Sequence, residues 1–223
     1  TGEWFNPANW AATTNLLVTG VMPDLNNVKK VFVPQGNAIS FDDSVAGRTG
    51  AVSTGTVMLD SLTYQGTVST SNLNLKNGAL VVSGNAILGG FESAAGTTLT
   101  VSGTLSTDIA TGITQTVAGV LNGAAAFSKA GAGTLMFTGG SAYTGGTTIS
   151  AGTLQVGTGG TAGTLGTGAI ANNGILTINH SDALTVGDVI SGTGALVQAG
   201  LGTTIFTGGT SANGNTYSGG TTI

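Results

Sequence analysis

The apolar residues of this chain come in short bursts separated by glycine and threonine, and the bursts recur. Residues 131–157 read Gly-Ala-Gly-Thr-Leu-Met-Phe-Thr-Gly-Gly-Ser-Ala-Tyr-Thr-Gly-Gly-Thr-Thr-Ile-Ser-Ala-Gly-Thr-Leu-Gln-Val-Gly, without a single charge. Much of this returns at 200–223 as Gly200-Leu-Gly-Thr-Thr-Ile-Phe206-Thr-Gly-Gly, then Tyr217-Ser-Gly-Gly-Thr-Thr-Ile223. Bursts this short, bounded by turn residues, predict strands. An internal repeat carries more weight than any single residue, because it sets the architecture.

The leucines give the period. Leu59, Leu80, Leu99 and Leu121 recur at spacings of 21, 19 and 22, and Leu135, Leu154, Leu176 and Leu196 at 19, 22 and 20. The step between the two series is only 14; a marker leucine that moves to another face of the same coil accounts for it. Strand-forming units of about 20 residues fit the coil of a parallel β-helix. Leucine-rich repeats share the period, but their Leu-x-x-Leu-x-Leu-x-x-Asn pattern is absent. Asn77-Gly78, Asn122-Gly123, Asn173-Gly174 and Asn213-Gly214 lie where coil corners are expected, since both residues tolerate positive φ. The same dipeptides can close hairpins, yet a pattern repeating at coil length favours the solenoid. The expected fold is therefore all-β: a single-stranded, right-handed parallel β-helix with coils of about 20 residues.

Residues 1–50 depart from the pattern. They hold Pro7, Pro23 and Pro34, both tryptophans (Trp4 and Trp10) and half of the charged residues. Val31-Phe32-Val33 and then Ile39 and Phe41 suggest two short strands. A solenoid must close its first coil with atypical residues, so 1–50 reads as an N-terminal cap and 51–223 as the repeat region. The alternative is a carbohydrate-binding platform built on Trp4 and Trp10.

Composition agrees with this outline and narrows the function. Only 6% of the residues are charged, and 40 are glycine. Residues stacked coil on coil form ladders, in which Thr, Val, Leu and Asn are tolerated and like charges repel. A net charge of −4 and one adjacent basic pair, Lys29-Lys30, argue against nucleic acid. No apolar run reaches the ~20 residues of a spanning helix. With no cysteine, the fold must rest on packing and hydrogen bonds. The chain opens at Thr1 without an initiator Met or signal pattern, and so reads as a processed or excerpted piece.

Candidate chemistry is sparse. Asp42-Asp43 is the only adjacent acidic pair, and neighbours on a strand point to opposite sides; loop carboxylates are the plainer reading. His180-Ser181-Asp182 has the residue types of a nucleophilic triad, but consecutive residues seldom meet triad geometry, so a turn or surface pair is expected. With one His and no Cys, no such metal-ligand spacing exists. Lys129 is the one charge within the repeat and its flank. Phe137 and Phe206 occupy equivalent positions and read as core. Tyr143 and Tyr217 precede Gly-Gly corners and are expected to plug them with hydroxyls outward, the sharper alternative being an aromatic glycan face. No catalytic, metal or cofactor-binding residue is predicted.

The stretch Gly131-x-Gly-Thr-Leu-x-Phe-Thr-Gly, with Tyr143-Thr-Gly-Gly-Thr-Thr and Gly152-Thr-Leu-x-Val, resembles the passenger-associated, or autotransporter-associated, β-strand repeat. The second copy departs from it, with Thr204 in place of Leu and five extra residues before Tyr217. Residues 42–130 match only in general character. The resemblance implies a right-handed parallel β-helix in a large bacterial protein, extracellular or on the outer cell surface, where the repeat serves export and folding rather than catalysis. The expected function is a structural, adhesin-like stalk. The alternatives are a self-assembling subunit of an extracellular fibre, joined through open solenoid ends, and a polysaccharide-binding or polysaccharide-cleaving β-helix.

Overall fold

The computed structural model describes residues 79–209 and 214–223, and before them the strands Gly2–Glu3, Lys30–Val33, Ile39–Phe41, Thr56–Leu59, Ser61–Tyr64 and Asn72–Leu75. Every described element is a strand, and the strands pair in parallel. This is a β-solenoid. One coil shows the course of the chain: Thr98–Val101 on a third face, Thr104–Asp108 on a second, Thr114–Val117 on a first. The first face stacks ten strands, from Gly2–Glu3 to Thr221–Thr222, and the second stacks eight, from Lys30–Val33 to Ile190–Ser191. The third face has four strands ending at Val120–Asn122, and later the pair Ala183–Val186 and Thr203–Phe206. The strands expected around Val31–Val33 and Ile39–Phe41 are present. Trp4, Trp10, Asp42 and Asp43 lie outside the described residues.

Alternation inside and outside builds the core. Strands such as Ala79–Val82, Thr98–Val101, Thr134–Phe137 and Thr153–Val156 bury every second side chain, as a pleated backbone requires. Leu80, Leu99 and Leu121 are direct register partners on the third face. Leu135, Leu154, Leu176 and Leu196 are register partners on the first. The step of 14 between the series is therefore a passage from one face to another within a single coil. Leu59 is the exception: it pairs with Val82, and Val57 stands opposite Leu80. Most of these ladder leucines are essentially inaccessible, so each contributes about 1.5–3 kcal/mol of apolar burial.

Where a ladder breaks, a side chain repairs it. Strands Gly90–Ser93 and Thr114–Val117 share one register pair, Ser93 and Val117. There Gln115, buried below Leu135 in the leucine ladder, accepts a 2.8 Å hydrogen bond from the Phe91 backbone N–H. A donor that would be orphaned inside the solenoid is thereby satisfied.

Candidate functional site

The repeat stretch at 127–156 gathers the most distinctive side chains of the described residues. Phe127, Phe137 and Tyr143 form an aromatic cluster, with ring centroids 5.2 Å apart for Phe127–Phe137 and 5.7 Å for Phe127–Tyr143. Tyr143 is buried, and its hydroxyl is joined to Thr147 Oγ1 at 2.7 Å. The expectation of an outward hydroxyl fails here. Threonine follows tyrosine by four positions, and the Gly145-Gly146 corner turns the chain back so that the two oxygens meet. Burial pushes the Tyr143 phenol up to about 12, against the opposing pull of its hydrogen bonds.

Tyr217 repeats the arrangement, with its hydroxyl 2.6 Å from Thr221 Oγ1. The Tyr-x-Gly-Gly-Thr string is thus a clasp around a corner, and each glycine has its own reason. A Cβ on Gly145 would lie 2.4 Å from the Ala126 backbone nitrogen, and one on Gly219 2.5 Å from the Gly194 backbone. The first glycine lets the corner sit on the preceding coil. The second adopts φ of +84° at Gly146 and +82° at Gly220, a conformation costly for residues with a Cβ.

Lys129 is fully buried. Its alternation with Phe127 on Ala126–Ala130 turns it inward, between the register partners Thr107 and Ile149. The ammonium donates to three carbonyls: Gly131 at 2.6 Å, Ala151 at 3.0 Å and Ala130 at 3.1 Å. It therefore ties the corner of its own coil to that of the next. Desolvation brings its pKa down to about 8, partly offset by the Asp108 carboxylate. Lys129 has no role legible from its sequence neighbours, although its spacing of two from Phe127 is a signal that it shares the inward side of the strand. A related bond recurs at two other corners, where Gln155 donates to the Gly157 carbonyl and Gln198 to that of Gly200. In all three the donor reaches the glycine two residues ahead.

His180 lies between the strands Ile175–Ile178 and Ala183–Val186 and is buried rather than superficial. Its Nδ1 is 3.0 Å from the half-exposed Asp182 carboxylate, while Nε2 has no hydrogen-bond partner and stands against the Gly157 backbone. Ser181 is exposed and not joined to Nε2. A serine nucleophile needs that link to its base, so the three residues do not form a triad. Asp188 accepts a hydrogen bond from the Gly168 backbone N–H. Among the described residues, no three His, Asp or Glu side chains are grouped to hold a metal ion, and no helix is long and apolar enough to cross a membrane.

The side chains that mark the repeat are thus engaged in building corners. Residues 127–156 and 196–223 both match the passenger-associated-transport-repeat. The chain is similar to autotransporter passengers at these two positions, which overlap the copies read from the sequence. Comparisons with curated proteins and with solved structures return no match.

The two copies of the repeat occupy different faces. In the first, Ala126–Ala130 lies on the second face and Thr134–Phe137 on the first. In the second copy, Ala195–Gln198 lies on the first face and Thr203–Phe206 on the third. Phe137 and Phe206, equivalent in the motif, accordingly stand in different ladders, Phe137 opposite Val117 and Val156, Phe206 opposite Val186. The first copy's phenylalanine is core, as expected; the second's is only partly buried against it.

Proposed function

We propose that this chain is a non-catalytic segment of a secreted or cell-surface bacterial passenger, serving as a stalk that carries adhesive or displayed parts away from the cell. One observation carries the reading: the signature residues of both matched repeats are spent on corners and ladders, in Tyr143–Thr147, Tyr217–Thr221 and the glycines between them. A passenger repeat so used supplies length and rigidity, and a scaffold of this kind does not specify a ligand. Protease treatment of intact source cells should release peptides from 79–223, and the purified chain should yield no product from neutral or acidic glycans. Peptides protected in intact cells, or a cleaved glycan, would overturn the proposal.

A further inference from the structure

Two Asn-Gly corners are fully described, and the fold treats them oppositely. At the first, Asn122 is exposed, and its Oδ1 accepts the Gly123 backbone N–H at 2.8 Å and, among the described residues, no other hydrogen bond. The backbone nitrogen therefore lies beside the carboxamide of the preceding side chain, with no Cβ on its own residue to shield it. At the second corner, the Asn173 carboxamide oxygen is held by Thr193, through the backbone N–H at 3.1 Å and the hydroxyl at 3.2 Å. The Gly174 N–H is taken by a different side chain, Asn172 Oδ1, at 3.2 Å. Nitrogen and carboxamide are paired at one corner and parted at the other.

We infer that Asn122 is a site of spontaneous deamidation and that the fold protects Asn173 from the same reaction. Base removes the Gly123 N–H proton, and the nitrogen attacks Asn122 Cγ. A new C–N bond closes a five-membered succinimide, the bond from Cγ to the side-chain nitrogen breaks, and ammonia leaves with the proton. Water then opens the ring. Cleavage of the new bond gives aspartate; cleavage of the original peptide bond gives isoaspartate, with one extra methylene in the backbone.

The product matters to the coil above. Residues 120–122 form a strand on the third face, and the next coil rests there through Ala142 N–H to Leu121 O at 2.7 Å and Thr144 N–H to Gly123 O at 3.1 Å. These bonds seat the Tyr143 clasp. Isoaspartate at 122 lengthens the chain under that seat, and either product adds a negative charge to a nearly uncharged wall. A long-lived extracellular stalk would thus acquire an irreversible, age-dependent weak point.

The experiment is storage of the native chain at mildly alkaline pH, with peptide mapping by mass spectrometry at intervals and a parallel sample unfolded in denaturant. In the native sample, the peptide holding Asn122 should gain the amide-to-acid mass increment and isoaspartate, well ahead of the peptide holding Asn173. In denaturant the two should convert at similar rates, because only the fold distinguishes them. Asn122→Ser should abolish conversion at that peptide and leave the circular dichroism spectrum unchanged. Native conversion of Asn173 as fast as Asn122, or an Asn122 that converts only when unfolded, would overturn the inference.

Discussion

The same repeat is present twice in this molecule, once enclosed and once on the last described coil, and the two copies differ in almost everything except their local bonds. Around the first copy, Phe137, Tyr143 and Ile149 are fully covered. In the second, Phe206 and Tyr217 are partly covered, and Ile223, the counterpart of Ile149, is bare. The copies also sit one face apart. Three coils from Thr134 to its ladder partner Ala195 take 61 residues, whereas the copies are offset by 69, from 127 to 196; the remaining eight carry the motif one face onward. Yet both tyrosines bond the threonine four residues ahead. The motif therefore specifies a corner, not a position in the cross-section.

The comparison can be broken most forcefully at the phenylalanines. Phe137→Ala should cost about 3–5 kcal/mol, because the surrounding coils cannot collapse onto the cavity. Phe206→Ala should cost less than half of that, having less burial to lose. Denaturant unfolding of the two variants measures the gap, and equal losses would mean that the second copy is as enclosed as the first.

Next in size are the glycines that sit on the preceding coil. Gly145→Ala drives a Cβ into the backbone of Ala125 and Ala126, with an expected loss of about 1–3 kcal/mol from overpacking. Gly219→Ala meets the Gly194 backbone at a similar distance, but Gly219 and its neighbours Ser218 and Gly220 are exposed and can shift. Its effect on the melting temperature should be smaller, and a larger one would show that the last coil is held rigidly.

The clasp provides a finer test. Tyr143→Phe leaves the buried Thr147 hydroxyl without its partner, a loss of about 1–3 kcal/mol. Tyr217→Phe leaves Thr221, which is exposed, free to bond water, so its loss should stay near the net value of one hydrogen bond, about 1 kcal/mol. A double substitution with Thr147→Val should be less damaging than the sum of the singles, since each alone strands the other.

The comparison is sharpened last by a pH dependence carried by Lys129 and Tyr143 of the first copy. Burial lowers the folded pKa of Lys129 from an ordinary 10.5 to about 8. Between these values the unfolded chain binds more protons, so this residue makes stability rise with pH from about 8 to 10.5. Tyr143, raised from 10.0 to about 12, does the reverse: its contribution is intact below 10 and is lost as pH climbs towards 12. At the Lys129 position the second copy has the neutral Gln198. Unfolding measured across alkaline pH should show the rise in the native chain and a flat region in Lys129→Met; a rise that survives the substitution would assign it elsewhere.

Much of this architecture was legible in the sequence. Short apolar bursts bounded by turn residues gave the strands, and the leucine series gave coils of about 20 residues, because stacked coils must place like side chains in register. The slip from Leu121 to Leu135 could be suspected as a change of face, though only register partners establish it. Less was legible at the site. The tyrosine hydroxyl was expected outward, because amphipathic aromatics often keep their polar end wet; the Gly-Gly corner instead folds a hydroxyl partner back to meet it. Lys129 was passed over, since a lone lysine is ordinarily solvated and three carbonyls converging on it come from two separate coils.

By itself, then, the sequence determined what is local or strictly periodic: a parallel β-solenoid, the leucines that recur in its ladders, and corners made where Gly-Gly follows tyrosine. These depend on contacts a few residues or one regular coil apart. Tertiary structure alone decided which face each copy occupies and that one lysine is enclosed by backbone oxygens. The first follows from the summed lengths of all intervening coils, which vary from one to the next, and the second from carbonyls of two neighbouring coils converging on one ammonium, so no single motif can contain them.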